Sequence, residues 1–202
     1  MRLLSLVHAF WEVANNRGYR QVLLRGLLPL LDDGTQVLDV GCDDGALAHE
    51  LMERNASLRI VGIDIQACRP AQIPKVIYDG SHLPFPNASF DVVMAVDVLH
   101  HTTDIPSVLG EMARVSRRHV LIKDHVWDGH AAARLLLSLG DWCTNAPRGI
   151  RCVYNFPTLE EWRAYFHSLG LESRATAQIA HFPLRLNEKF NWIFLLEKSR
   201  RG

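Results

Sequence analysis

Between Gln36 and Asp124 five short β-rich runs alternate with stretches of helical periodicity, and few folds accommodate that rhythm. The runs are QVLDV (Gln36 to Val40), RIVGIDI (Arg59 to Ile65), KVIY (Lys75 to Tyr78), FDVVMAVDVL (Phe90 to Leu99) and HVLIKD (His119 to Asp124). The fourth is almost continuously apolar, as expected of a central parallel strand covered on both faces. From Gly45 to Arg54, Leu47, Ala48, Leu51 and Met52 share one helical face. A second helix is expected from an Asp104 cap to about Ser116, with Ile105, Val108, Leu109 and Met112 as its stripe. Strands and helices in alternation predict an α/β fold with a doubly wound, mainly parallel sheet. Ligands of such sheets lie beyond the carboxyl ends of the strands, near the point where strand order reverses.

The flanks fill out one domain over residues 1–202. Residues 1–35 read as two helices, about Arg2 to Asn15 and Tyr19 to Leu31; 36–124 form the core, and 125–157 an insertion on the substrate side. The opening MRLLSLVHAFWEV superficially resembles a signal peptide, but Leu3, Leu6, Val7, Phe10 and Ala14 recur at helical spacing, which predicts an amphipathic surface helix. Beyond strand five, Leu135, Leu136, Leu139 and Trp142 imply a helix. Thr158 and Glu161 stand in capping-box positions ahead of another, whose apolar face is Leu159, Trp162, Phe166 and Leu169. Two β-like runs, LESRATAQIAHF and FNWIFLLEK, are joined by a short segment containing Pro183 and predict a C-terminal antiparallel pair. The 22 Lys and Arg balance 22 Asp and Glu, so the whole chain has no electrostatic footprint for nucleic acid, and no such partner is expected. Cys42, Cys68, Cys143 and Cys152 form no zinc-type spacing, which predicts reduced packing cysteines in a cytoplasmic protein and no metal site. No run approaches the ~18 apolar residues of a membrane span.

The turn after the first strand, LDVGCDDGALA (Leu38 to Ala48), carries the chemistry. Gly41 and Gly45 allow a tight turn and close ligand approach, and the following helix offers free amides, an arrangement that usually favours phosphate. Asp39, Asp43 and Asp44 oppose it. Two unit charges ~4 Å apart at an effective dielectric of ~20 interact by about 4 kcal/mol, so a pyrophosphate against ionised Asp43 is penalised. No Lys-Ser or Lys-Thr follows, which excludes a P-loop. A cationic ligand suits the loop better.

S-adenosyl-L-methionine (SAM) combines a sulfonium, an ammonium and an adenosine without phosphate. At these residues the chain resembles the class I SAM-dependent methyltransferases, and in particular the type 11 branch of small-molecule enzymes. VLDVGCDDG, VGIDI, YDGSHLPFPNASFDVV and VDVLHHTTD resemble four family motifs in order across Gln36 to Asp124. The resemblance implies the three-layer Rossmann-like fold and SAM as cofactor, with S-adenosyl-L-homocysteine as product. It implies that Asp39 orients the loop and meets the methionine ammonium, that Gly41, Cys42 and Gly45 admit the cofactor, and that Asp64 accepts from the ribose hydroxyls beside Ile65. Asp79 would accept from the adenine amino group with Gly80 or Ser81 nearby, Val96 or Asp97 would sit at the methionine end, and His101 near adenosine or acceptor. Asp43 departs from the pattern, since the family commonly has glycine there; it either contacts the cofactor's amino-acid end or points into solvent.

Methyl transfer in this reading goes to an oxygen, nitrogen or carbon of a small organic molecule. An imidazole suits the removal of a proton from such an acceptor, and His101 and His125 are the candidate bases, ahead of His100 and His181. His125, Trp127, Arg148 and Tyr154 are candidate acceptor contacts; the plainer expectation is that Trp142 packs in the core and Arg148 is a solvated loop charge. Two alternatives stand beside the enzyme: a non-catalytic SAM-binding or protein-interaction module, and an NAD-dependent oxidoreductase. The second is disfavoured by Asp43 and by the absence of a GxGxxG turn.

Overall fold

A computed structural model describes residues 18–67, 70–179 and 190–199. The helix expected over Arg2 to Asn15 and the segment containing Pro183 and His181 lie outside those residues. Helix α1 occupies 18–27 and passes through Pro29 into a 3₁₀ turn, Leu28–Leu30. There follow β1 (Gln36–Val40), α2 (Ala46–Arg54), β2 (Arg59–Asp64), β3 (Lys75–Ile77), β4 (Phe90–Val96), α3 (Ile105–Val115), β5 (Ser116–His125), α4 (Ala131–Asn145), α5 (Leu159–Ser168), β6 (Leu171–Gln178) and β7 (Asn191–Lys198).

The seven strands form one sheet in the order β3-β2-β1-β4-β5-β7-β6. Pairings from β3 through β5 are parallel, while β7 is antiparallel to both β5 and β6. Neighbouring strand residues alternate between two cores. Leu38, Val40, Val93, Ala95, Val120 and Ile122 join Leu109 and Met112 of α3 and Trp162 and Phe166 of α5. Val37, Val92, Met94 and Leu121 face the other way, onto Leu23, Leu24 and Leu27 of α1 and Leu51 of α2. This period of two, apolar on both faces, makes the sheet the middle of three layers. Order reverses between β1 and β4, and the carboxyl ends of those strands open the main cleft.

Local chemistry accounts for the element ends. Asp104 accepts from the Ser107 amide at 3.0 Å and starts α3. The Thr158 and Glu161 capping box starts α5, which seals Trp162 at 0% exposure. Strand four is shorter than its apolar run: Asp97, at φ 56°, ends it, and Leu99–His101 form a 3₁₀ turn. Strand five runs further than HVLIKD at both ends, because Ser116 pairs with Phe90 of β4 and His125 with Asn191 of β7. The helix at Leu135 and Leu136 is present, but its buried residues are Ala133, Leu137 and Asp141. Trp142 is 55% exposed and therefore not core, since no element covers that side of α4 among the described residues.

Candidate active site

The cleft encloses about 1240 Å³ and is walled on one side by the turns after β1, β2 and β3, and on the other by the turn after β4, the end of β5 and helix α4. On the first wall, Gly41 (φ 74°) and Gly45 (φ 76°) are required by the fold itself. A Cβ at Gly41 would lie 2.4 Å from Val98, and one at Gly45 2.5 Å from Ile73. Asp43 has φ 50°, a left-handed conformation that Asp tolerates better than most side chains, which explains how it stands at a position suited to glycine. Its amide donates to Asp64 Oδ2 at 2.8 Å, and the Gln66 amide donates to Asp64 Oδ1 at 2.9 Å. The carboxylate at the end of β2 is thus fixed by backbone. Ser81 N, Ser81 Oγ and His82 N all bond Asp79 Oδ1, and those bonds, led by the Ser81 amide, hold its carboxyl below the ordinary range. Ile65, 59% exposed, lies on the wall beside both acids. Lys75 turns its ammonium onto the carbonyls of Asp43 and Gln66, at 2.9 and 3.2 Å.

Asp39 and Cys42 are buried and, with Gly45, lie off the cleft wall. Burial, followed by the nearby Asp64 charge, raises the Asp39 carboxyl to about 7. Cys42 packs where a Cβ on Gly62 would come within 2.4 Å of its sulfur, and burial pushes its thiol to about 12, so it is an inert packing group.

The second wall is made of side chains that bind one another. Lys123, at 0% exposure in mid-strand, is bonded by Asp97, Tyr19 and Asn191, and Tyr19 also donates to Asp97. Burial acts most strongly on Asp97 and opposes its charge, yet Lys123, His125 and His100 together outweigh that cost and lower its pKa. One turn on, His100 Nδ1 lies 2.6 Å from Asp124 Oδ1, with both side chains buried. Burial opposes a charge on His100, but Asp124 and then Asp141 raise its pKa to about 10. His100 Nε2 is 3.5 Å from Asp141 Oδ1, and His101 Nε2 is 3.4 Å from the same oxygen. Burial, then the neighbouring His100 charge, lowers the pKa of His101; burial likewise lowers that of His125. His125 leaves Nδ1 buried without a hydrogen-bond partner among the described residues, 3.7 Å from Asp124 and 3.8 Å from Asp97. Its carbonyl accepts from the Trp162 indole at 3.0 Å, which anchors the end of β5 to the core.

The cleft therefore brings together Gly41, Asp43, Asp64, Ile65, Asp79, Gly80, Ser81, Val96, Asp97, His101, His125 and Arg148. Trp127 and Tyr154 are elsewhere, packed on Ala133, Leu137, Phe156 and Phe190. Arg148 is not a free loop charge: its guanidinium pairs with the Asp43 carboxylate across the mouth of the cleft. Asp43 is thus not an isolated solvent-facing charge, although its side chain stays about one-third exposed. Asp141, Asn145, Lys75 and Tyr19 had no assigned role in the sequence. For Asp141 and Asn145 a signal existed, since both continue the helical stripe of Ala133 and Leu137, where an acid and an amide need partners.

A family model described as a methyltransferase domain matches residues 10–176. The 27-O-demethylrifamycin SV methyltransferase of Amycolatopsis mediterranei is 28% identical over 184 residues, covering 79% of this chain and 61% of its own. A ubiquinone biosynthesis O-methyltransferase of Rhodopseudomonas palustris is 28% identical over 166 residues, covering 75% and 64%. The chain thus spans under two thirds of the length of these relatives. Among solved structures, a SAM-dependent methyltransferase from Methanosarcina mazei superposes with a TM-score of 0.64 at 16% identity, covering 84% of this chain and 94% of that one, a likeness of fold.

Proposed function

The chain belongs to the methyltransferase domain family, and from that premise we propose that it transfers a methyl group from SAM to an oxygen of a small organic acceptor. Residues 36–124 supply the cofactor side in this reading and 125–157 the acceptor side. The observation that carries it is the pairing, across one cleft, of backbone-fixed carboxylates Asp64 and Asp79 with the imidazoles of His101 and His125. Two O-methyltransferases among the relatives favour oxygen as the accepting atom.

The donor set on the first wall fits SAM. Asp64 spends one lone pair of each oxygen on a backbone amide and keeps acceptor capacity for ribose hydroxyls, while all three bonds to Asp79 fall on Oδ1 and leave Oδ2 for an exocyclic amine. Ile65 gives an apolar flank for adenine. Lys75, behind this wall, spends its ammonium on the carbonyls of Asp43 and Gln66, which favours a ligand without phosphate. When bound, SAM supplies an activated methyl group; the protein's part is to align the acceptor, exclude water and take a proton.

His125 is the general base. Its depressed pKa keeps the imidazole neutral near pH 7, and with Nδ1 turned toward Asp124 and Asp97 the ring, which lines the cleft, has Nε2 to take the proton. His100, charged between Asp124 and Asp141, has no lone pair to offer and positions its neighbours instead. Calorimetry with SAM and with NAD tests the cofactor, and incubation with labelled SAM and a cell extract tests transfer. Binding of NAD but not SAM, or SAM binding without any labelled product, would overturn the reading.

A further inference from the structure

We propose that His100, His101 and Asp141 form a site for one divalent first-row transition-metal ion, open on its fourth side to the cleft. Their ligand atoms all lie within 4.8 Å of one another. The two Nε2 to Oδ1 separations, 3.5 and 3.4 Å, exceed the ~2.7–2.9 Å of a charge-assisted hydrogen bond. They match instead the edge of a tetrahedron, since two donors each ~2.0–2.1 Å from a zinc-sized ion stand ~3.3 Å apart.

The outer contacts are those of a metal-binding pair of histidines. His100 Nδ1 bonds the Asp124 carboxylate at 2.6 Å, and His101 Nδ1 bonds the Arg151 carbonyl at 3.1 Å. Each partner is an acceptor, so each Nδ1 carries hydrogen and each Nε2 is directed at Asp141. The His100 nitrogen facing the Asp141 carboxylate needs a cation between them, either a proton or a metal ion. Asp141 supplies the second observation: its side chain is 3% exposed and its Oδ2 is buried without a hydrogen-bond partner among the described residues. Asn145 Nδ2 now sits 2.7 Å from Asp141 Oδ1 and 3.3 Å from His101 Nε2; turning that amide over presents an oxygen to the same point.

Two imidazoles and one carboxylate select zinc, cobalt or nickel over magnesium or calcium, which prefer all-oxygen sites. The alternative grouping of His100, Asp124 and His125 is already closed by the short His100 to Asp124 bond, which makes Asp124 the outer partner. On binding, His100 exchanges its Nε2 proton for the ion. The ion then ties helix α4 to the turn after β4, at the end of the cleft where the acceptor lies. That placement rests on the methyl-transfer reading; the metal site does not.

The test is titration of the chelator-stripped full chain with Co²⁺. The expected result is one ion per chain, the intense visible bands of tetrahedral cobalt, displacement by Zn²⁺ and a higher melting temperature. His101→Ala and Asp141→Asn should each abolish the bands, and Asp124→Asn should weaken binding ~10–100-fold while keeping them. His82→Ala, away from the site, should change nothing. Circular dichroism selects the folded variants, and either ligand variant suffices. Absence of stoichiometric Co²⁺, or unchanged binding in a folded ligand variant, would overturn the site. S-adenosylhomocysteine calorimetry on the same samples separates the two ideas: homocysteine-cofactor binding without Co²⁺ sinks only the metal, and Co²⁺ without that binding sinks only the methyl-transfer reading.

Discussion

The two walls of the cleft are built by different means. On the first wall each acid is held by backbone amides: Asp79 by Ser81, two residues on, and Asp64 by Asp43, separated by 21 positions. On the second wall, side chains hold side chains over longer spans: 24 positions for His100 with Asp124, 26 for Lys123 with Asp97 and 105 for Arg148 with Asp43. Backbone-held groups depend on turn conformation and survive substitution of most neighbours. Side-chain networks depend on every member, because removing one leaves a buried polar atom unpaired. The first wall is suited to an invariant ligand and the second to one that changes through a few substitutions.

Perturbing each wall in turn tests that division. The largest effect is expected from His125→Ala, which should retain affinity for S-adenosylhomocysteine and lose ~10²–10⁴ in turnover. In the unaltered chain kcat/KM should fall as pH drops through a pKa below the ordinary ~6.5, as required of a base that works unprotonated. Unchanged turnover would move the base to another residue. Asp39→Asn comes next. The folded chain holds this proton with a pKa of about 7, against ~3.9 unfolded, so the contribution of Asp39 to stability is most favourable below pH 4, declines as pH rises to 7 and then stays level. Removing the charge should raise stability at pH 8 by up to about 4 kcal/mol and hardly at pH 4, a difference read from paired melting curves. An equal gain at both values would mean that burial of the charge is not the cause.

Asp64→Ala should weaken S-adenosylhomocysteine binding ~100-fold, the worth of two charge-assisted hydrogen bonds, with little change in melting temperature. A loss below threefold by calorimetry would place the ribose elsewhere. The smallest effect is expected from Arg148→Ala, because the Arg148 to Asp43 pair is about one-third exposed on each side. Global stability should change by less than ~1 kcal/mol, while limited proteolysis at residues 146–151 should accelerate. A large fall in melting temperature would show that the two walls are energetically one unit.

This division also explains what was legible in the residues. The alternation of Gln36 to Asp124 specified the parallel core, and Asp104, Thr158 and Glu161 marked helix starts through local hydrogen bonds. The cleft's first wall was legible for the same reason, since its acids sit at strand ends within a short stretch. Helix α4 misled, because Leu135, Leu136, Leu139 and Trp142 recur at helical spacing but lie outward, and the stripe that faces inward runs Ala133, Leu137 and Asp141. Lys123 read as one polar interruption in HVLIKD; its partners Tyr19, Asp97 and Asn191 come from three other elements and no local pattern joins them. Gly45 and Cys42 look like ligand contacts by motif, and each also meets a packing demand that no local pattern announces, Gly45 against Ile73 and Cys42 against Gly62.

The place of β7 has a consequence for biosynthesis. It lies between β5 and β6, so β6 leaves the ribosome before the strand that will join it to the sheet exists. Until Asn191 to Lys198 have emerged, one long edge of β5, from His119 to His125, and both edges of β6 are bare hydrogen-bonding templates. At ~5–20 residues per second the interval is of the order of seconds. The nascent chain thus passes through its most aggregation-prone form just before its sheet closes, and cellular chaperoning matters most in that window.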